Sequence, residues 1–331
     1  MTDKINILVL VEMDQDKASD LSLEMLGCAR QLADKDDESD VVAVVFGDDF
    51  GTLGEDLISF GADEVILLES TLCHPYQADT WLPDMAAMAK ETKASLILMS
   101  HNSTGGDLAP RLAFKLKCGV ATSCEKITIE GAKTFLTRTC YGGKAREVLS
   151  FDNEVAIATI RPKSQTPIAR DIKRCGDVKT KPLSVNKNDV RVNVIERKRI
   201  ESDGPKIENA SVIVAGGGGL GGPEGFEIAT ELADVLGGAV GASRVACDQG
   251  WCPPGYQIGL SGKTVAPELY IAIGISGASH HMAGCANAKN IVAINNDADA
   301  PMFNFSRYGA IGDYEALLPA LTKQIAKLKG Q

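Results

Sequence analysis

The sequence predicts an α/β chain of two domains, an N-terminal doubly wound parallel sheet and a C-terminal Rossmann-like domain. Three observations predict it. Apolar runs of strand length, such as Ile5–Val11, alternate with helix-compatible segments, as strands buried on both faces by crossover helices require. The chain has 331 residues and 44% hydrophobic content, enough for two cores of ordinary size. The alternation is interrupted by a basic stretch, 161–206, and then resumes.

The elements follow in order. Ile5–Val11 is apolar throughout and reads as a central strand. Ser19–Ala33 carries Leu21, Leu23, Met25, Leu26, Ala29, Leu32 and Ala33, spacing that suits a helix. Asp40–Phe46 and Glu64–Leu68 are the next strands, Trp81–Thr92 a helix, and Ser95–Ser100 a strand. His101–Asp107 reads as a loop before a helix running from about Leu108 to Lys117. Two readings stand for its Ser-Thr-Gly-Gly: a phosphate-binding loop with free N–H groups, or a plain strand–helix turn. Thr139–Val148 and Val155–Ile160 are later strands.

Residues 161–206 hold 13 basic and 6 acidic residues. A solvated connector explains that charge, and a docking surface for acidic partners explains it equally in kind. The alternation of Val190, Val192 and Val194 predicts an edge strand still belonging to the first domain. The domains are therefore expected at 1–200 and 201–331. Over the whole chain 34 basic residues face 44 acidic ones, a net charge of −10, which argues against general nucleic-acid binding. No apolar run reaches the roughly 18 residues a membrane span needs. The first residues lack the layout of a secretory or transit segment, so a cytoplasmic location is expected. The nine cysteines include no C-x-x-C pair, and reduced packing thiols are expected rather than a zinc or dithiol motif.

In the second domain Ala210–Ala215 is a strand, Phe226–Leu236 a helix and Ala239–Ser243 a short strand. Between the first two lie six glycines in the seven positions 216–222. Such a loop lets backbone approach a pyrophosphate at a helix N-terminus, and a tight strand–helix turn accounts for it equally well. It is not a G-x-G-x-x-G with an acidic residue about 20 positions on in the usual sense. Residues 244–268 show turn chemistry. Leu269–Ile275 is a strand running into Ser276-Gly277-Ala278-Ser279-His280-His281, and Asn290–Ile294 is a strand closed by Asn295. Hydroxyls and imidazoles thereby collect at the carboxyl edge of a sheet, where open α/β folds hold ligands. Arg244 can serve such a ligand, cap a helix or pair with a surface carboxylate. The adjacent histidines can serve it or belong to packing and turn structure.

The order of these segments resembles the electron-transfer flavoprotein alpha subunit. The resemblance rests on Ala266–Tyr270 (APELY), Ser276–His281, Ala293–Asn295 and Tyr308–Asp313 (YGAIGD). Gly241–Arg244, Cys247–Trp251 and Gln257–Lys263 add to it, and Ala109–Ala113 (APRLA) and Tyr141–Lys144 (YGGK) carry it weakly into the first domain. It implies an FAD domain over 201–331 and a first domain that packs on a beta subunit and holds no nucleotide. Arg244 is implied against the isoalloxazine, Ser243 on the cofactor, Ser261 near the flavin N5 and His281 at the O2/N1 edge. Asn295 and Asp313 are implied on the adenosine side. Gln257, Ile258, Gly259, Leu260, Ser276, Gly277, Ala278 and Ser279 complete the implied wrapping. Gly218 stands where the family usually has a cofactor-reaching Arg, Leu260 replaces a Gln, Ser261 a Thr, His280 a Gln, and Lys144 an Asn. His280 can replace the lost contact, add a titrating group or face solvent.

The implied work is electron carriage. A guanidinium and an imidazole N–H in a dry site stabilise the negative charge of a singly reduced flavin, the anionic semiquinone. The implied partners are the beta subunit, a donor dehydrogenase of the acyl-CoA dehydrogenase kind and an acceptor redox protein. The FAD domain is expected to move about a hinge near residue 200. Three rivals stand beside this: an FAD subunit of an electron-bifurcating complex, a nicotinamide-dependent oxidoreductase using the same cleft, and an adenine-nucleotide sensor built on the first domain.

Overall fold

The structure, a computed structural model, describes residues 5–35, 39–131, 133–141, 145–192, 194–196 and 207–330. Lys144 and the expected hinge and boundary near residue 200 lie outside the described residues. The chain divides into two compact units, one of residues 1–140 and 146–198, the other of 141–145 and 199–331.

In the first unit β1 (Ile7–Val11) is followed by a two-residue ribbon, β2 (Met13–Asp14) with β3 (Lys17–Ala18), and then α1 (Asp20–Ala33). Ser19 starts α1 by accepting the Ser22 N–H on its hydroxyl. Next come β4 (Val41–Gly47), α2 (Leu53–Ser59), β5 (Glu64–Glu69), α3 (Ala78–Glu91), β6 (Leu96–Ser100) and α4 (Ser103–Leu116). The unit ends with β7 (Gly119–Glu130), β8 (Lys133–Cys140), β9 (Ala145–Leu149), β10 (Ala156–Ile160) and β11 (Asp177–Pro182). One sheet runs β11-β5-β4-β1-β6-β10-β7-β8-β9. It is parallel from β11 to β7, and β8 then pairs antiparallel to β7.

The apolar run of β1 has a direct cause. Ile7, Val9 and Val11 face the core made by α1 and α2 (Met25, Leu26, Leu53, Leu57). Leu8 and Leu10 face the core made by α3 and α4 (Trp81, Met85, Leu108, Leu112). With helices on both sides, neither set of side chains sees water, so no polar alternation survives.

Four local expectations are corrected. Val190, Val192 and Val194 form no strand; the edge strand in the basic stretch is β11, paired in parallel with β5 from Asp177↔Glu64 to Pro182↔Glu69. Its sequence is polar and almost wholly exposed, and it ends in proline, as edge strands do. Ser103-Thr-Gly-Gly106 is the first turn of α4 rather than a free loop. The Asn102 side chain accepts the Gly105 N–H at 2.9 Å, and the Asn102 carbonyl accepts that of Gly106 at 2.8 Å. The Gly105 and Gly106 donors are thereby taken up within the helix start. The single strand expected at Thr139–Val148 is two strands, broken at Tyr141, whose φ is 52°. Residues 244–268 hold a short helix as well as turns, described below. The seven-residue α2 and the long β7 have no counterpart in the sequence reading.

The second unit carries β12 (Val212–Gly216), α5 (Pro223–Leu236), β13 (Ala239–Ala242), α6 (Arg244–Asp248), β14 (Leu269–Ile273), α7 (Ser279–Cys285), β15 (Ile291–Asn295), β16 (Tyr308–Ile311) and α8 (Tyr314–Leu328). Its five strands are all parallel in the order β13-β12-β14-β15-β16. α5 and α8 cover one face through Phe226, Ala229, Leu232 and Leu318. α7 and the 258–265 segment cover the other through Met282, Cys285, Ile258 and Val265. Among the described residues no helix is long and apolar enough to cross a membrane.

Glu24 tests the packing of the first unit. Its side chain is 3% exposed and lies 3.9 Å from Lys163 Nζ, while Oε2 accepts the Lys163 N–H at 2.8 Å. Burial outweighs both contacts and pushes its pKa from 4.5 to about 7. The folded chain therefore holds this proton more tightly than the unfolded one. The stability it contributes is complete below about pH 4.5 and is lost as pH rises through 7. Glu24→Gln keeps an acceptor and removes the charge. In urea titrations the parent should lose stability relative to E24Q between pH 5 and pH 8; a gap that does not change with pH refutes this.

Candidate functional site

The strand order of the second unit places a topological switch between β12 and β14, whose outgoing loops leave toward opposite sides. Ligands of open α/β sheets sit outside the carboxyl ends at such a point. There the backbone of the glycine loop is tied to the exit of β14. Gly217 N–H donates to the Ile273 carbonyl at 2.8 Å and Gly219 N–H to the Gly274 carbonyl at 2.9 Å. Ser243 N–H reaches Gly216 O at 2.9 Å, and Gly274 N–H reaches Ile294 O at 2.9 Å, which brings the ends of β13 and β15 into the same layer. A Cβ on Gly219 would lie 2.7 Å from the Gly274 Cα, so this approach is open only to glycine.

A cavity of about 570 Å³ lies on this edge, walled by Gly219–Gly222, Gly274, Asn295, Asn296 and Gly312–Glu315. That volume falls within the roughly 300–1,000 Å³ of small-molecule sites. The first turns of α5 and α8 supply Glu224, Gly225, Tyr314 and Glu315. Tyr314 Oη donates to the Leu220 carbonyl at 2.8 Å and joins the two walls. Asp313 caps α8 by accepting the Glu315 N–H at 3.0 Å. Asn295 is buried, donating from Nδ2 to Ile275 O at 3.1 Å and accepting the Asp297 N–H at 3.1 Å. The carboxylates of Glu224, Asp313 and Glu315 make this rim an acceptor of hydroxyl and amino hydrogens.

A second group of expected residues gathers beside α7. The 257–263 segment runs from the end of β13 to the start of α7: Ile258 N–H donates to Ala242 O at 2.9 Å and Leu260 N–H to His280 O at 2.7 Å. Gln257 Nε2 donates to Ser261 Oγ at 2.9 Å. Gly259 is buried in this turn and Leu260 stands exposed. Ser243 is the N-cap residue of the five-residue α6, yet its Oγ is buried without a hydrogen-bond partner. Arg244 follows, 69% exposed, with Nε 3.1 Å from Asp248 Oδ2. Ser276 accepts the Met302 N–H at 3.0 Å through its carbonyl, and Gly277 turns there with a φ of 82°. Ala278 precedes α7, Ser279 opens it, and His280 is exposed.

His281 is buried, with Nε2 2.9 Å from Tyr270 Oη and Nδ1 without a hydrogen-bond partner. Burial drives its pKa down to about 4, against a smaller upward effect of the Ile258 carbonyl, so the ring is neutral near pH 7. Cys247 and Cys252 lie 3.5 Å apart at sulfur, and all nine cysteines are free. Among the described residues no cluster suits a metal ion.

Thus Ser243, Arg244, Gln257–Ser261 and Ala278–His281 form one group, while Asn295 and Asp313 line the cavity. Gly218 is exposed and is not among the lining residues. The sequence reading did not single out Glu224, Tyr314, Glu315 or Tyr270. Pro223 at the start of α5 and the Asp313 cap of α8 are helix-start signals that point to the first three. For Tyr270, a tyrosine inside an otherwise aliphatic strand is the signal.

Residues 7–186 match the family described as electron transfer flavoprotein domain, and residues 206–286 match the electron transfer flavoprotein FAD-binding domain. The chain is 40% identical over 331 residues to the electron transfer flavoprotein subunit alpha of Thermoanaerobacterium thermosaccharolyticum, covering 99% of this chain and 100% of that protein. It is 38% identical over 329 residues to the subunit alpha of Megasphaera elsdenii, covering 98% and 97% of the two chains. To that of Bacillus subtilis it is 35% identical over 322 residues, covering 97% and 98%.

The glycine loop gives a paired test. A Cβ on Gly218 meets only Val245 Cγ1, at 3.4 Å, so Gly218→Ala should keep stability within about 1 kcal/mol of the parent. Gly219→Ala must push two backbones apart and should cost about 1–3 kcal/mol. Thermal unfolding of the two variants side by side decides it; equal melting temperatures count against the loop–strand lock.

Proposed function

This chain belongs to the electron transfer flavoprotein alpha-subunit family, and from that premise we propose that it is the FAD-holding half of a heterodimeric electron carrier. The FAD-binding domain lies in the second unit. The observation that best supports a cofactor there is a pair of unsatisfied buried groups, Ser243 Oγ and His281 Nδ1. Leaving a buried polar atom unpaired costs about 1–3 kcal/mol. Both atoms belong to the group of residues gathered at the carboxyl edge of one sheet, next to a glycine-walled cavity, so a ligand carrying acceptors and donors fits them.

FAD, when bound, supplies the uptake and release of electrons. The chain's residues do the rest. The cavity over β12, β14 and β15 takes the nucleotide end, with Asn295 and Asp313 offering acceptors to ribose hydroxyls. Ser243, Arg244, the 257–261 turn and the 276–281 segment hold the ring end. Exposed Val245 and Leu260 supply apolar surface that a planar ring system covers. The planar guanidinium of Arg244 suits stacking on a ring that becomes more negative. In the chain alone that charge is offset by Asp248, so cofactor binding competes with a weak exposed ion pair. His281 contributes an N–H from a neutral ring and adds no charge of its own.

The partners proposed are a beta subunit, a donor dehydrogenase of the acyl-CoA dehydrogenase kind and a separate redox acceptor. The test is co-expression with the beta subunit, followed by flavin analysis and redox titration. An equimolar amount of FAD is expected. Arg244→Ala should weaken FAD binding about tenfold and lower the potential at which the first electron enters. A heterodimer that takes up no FAD refutes the role, and an unchanged titration removes Arg244 from it.

A further inference from the structure

Tyr270 is the largest fully buried side chain of the second unit. It stands on β14 in the buried cluster that holds Ile213, Ala272 and Met282. A phenol there must find a protein partner, because an unpaired buried hydroxyl is costly. Its partner is His281, with Oη 2.9 Å from Nε2. The Cys285 thiol lies against the same hydroxyl.

The ring of His281 is neutral, so one nitrogen carries hydrogen and the other accepts. If Nε2 carried it, Nδ1 would be a bare acceptor, and the Ile258 carbonyl, another acceptor, faces the ring. If Nδ1 carries it, Nε2 accepts the phenol hydrogen and the carbonyl environment favours the N–H. Burial holds the Tyr270 phenol far above its ordinary pKa, so its hydrogen is always present. Nδ1 makes no hydrogen bond of good geometry among the described residues, and its hydrogen, beside the Ile258 carbonyl, is open to a better-placed acceptor that completes the site.

We propose that Tyr270 is a positioning residue: its O–H donates to His281 Nε2, fixes the imidazole as the Nδ1–H tautomer and thereby aims one N–H at an acceptor atom of the bound flavin ring. The inference rests on the FAD reading above only for the identity of that acceptor. The tautomer belongs to the chain itself. The same logic orients histidines elsewhere, where the bond made by one ring nitrogen decides what the other can do.

The chain has four histidines, so a ¹⁵N-histidine NMR spectrum of a heterodimer reconstituted with label in this chain alone is sparse, and His281→Asn assigns the ring by subtraction. In the parent, with and without FAD, the His281 Nδ1 should resonate as a protonated nitrogen and Nε2 as an unprotonated one. In Tyr270→Phe the preference should relax toward Nε2–H, FAD should bind about tenfold more weakly, and the melting temperature should fall because a buried ring nitrogen loses its partner. Parent His281 found as Nε2–H overturns the proposal, as does a Tyr270→Phe spectrum with unchanged tautomer. The parent spectrum decides the matter even if the variant fails to fold. Because it is also read without FAD, a heterodimer that binds no flavin sinks the cofactor reading and leaves the tautomer assignment standing.

Discussion

The approach of two backbones, Gly219 N–H to Gly274 O at 2.9 Å, governs the second unit. Strand order puts β12 beside β14, but the loops leaving them would splay apart if side chains filled the gap. Glycine on both sides lets the loops touch, and Ser243 and Gly274 extend the same hydrogen-bonded layer to the neighbouring strands. Everything placed at this edge inherits its position from that layer. The cavity wall, the first turns of α5 and α8, and the departure of the chain toward Arg244 all follow from it. A glycine-rich stretch is therefore a load on flexibility in the unfolded chain that is repaid by rigidity in the folded one.

Two electrical environments meet at this edge. On one side the ring of His281 lies in the dry core with Tyr270, Met282 and Cys285, and low polarity keeps it uncharged. On the other, Arg244 stands exposed and paired with Asp248, a pairing of small worth. The 257–263 segment spans both, bonded to Ala242 at one end and His280 at the other. In the proposed reading, a neutral ring fixed by packing and an exposed guanidinium are complementary ways to meet a ring whose charge changes. The first gives direction without the cost of burying an ion, and the second gives field without needing a fixed geometry.

The first unit uses similar parts to a different end. Its Ser-Thr-Gly-Gly stretch follows a parallel strand and opens a helix, the place where phosphate is often held. Asn102 takes those N–H donors, and its own Nδ2 is held by Glu12 Oε1 at 2.7 Å. The sheet is then extended by the antiparallel β8 and the polar edge strand β11.

By itself the sequence determined the α/β class, the parallel core strands and the order of the site segments. Ile7–Val11 could be recognised because burial on both faces leaves no polar residue in the run, and Ser276–His281 because polar residues follow a buried strand abruptly. Only the tertiary structure decided that β11 rather than Val190–Val194 forms the edge, because an edge strand is held by pairing with β5 and carries no apolar signature. Only it decided that Asn102 consumes the donors of the first glycine stretch, that Arg244 rests on Asp248, and that Tyr270 reaches His281. Those outcomes depend on distances across the fold, and a linear pattern records which residues are available without recording which of them meet.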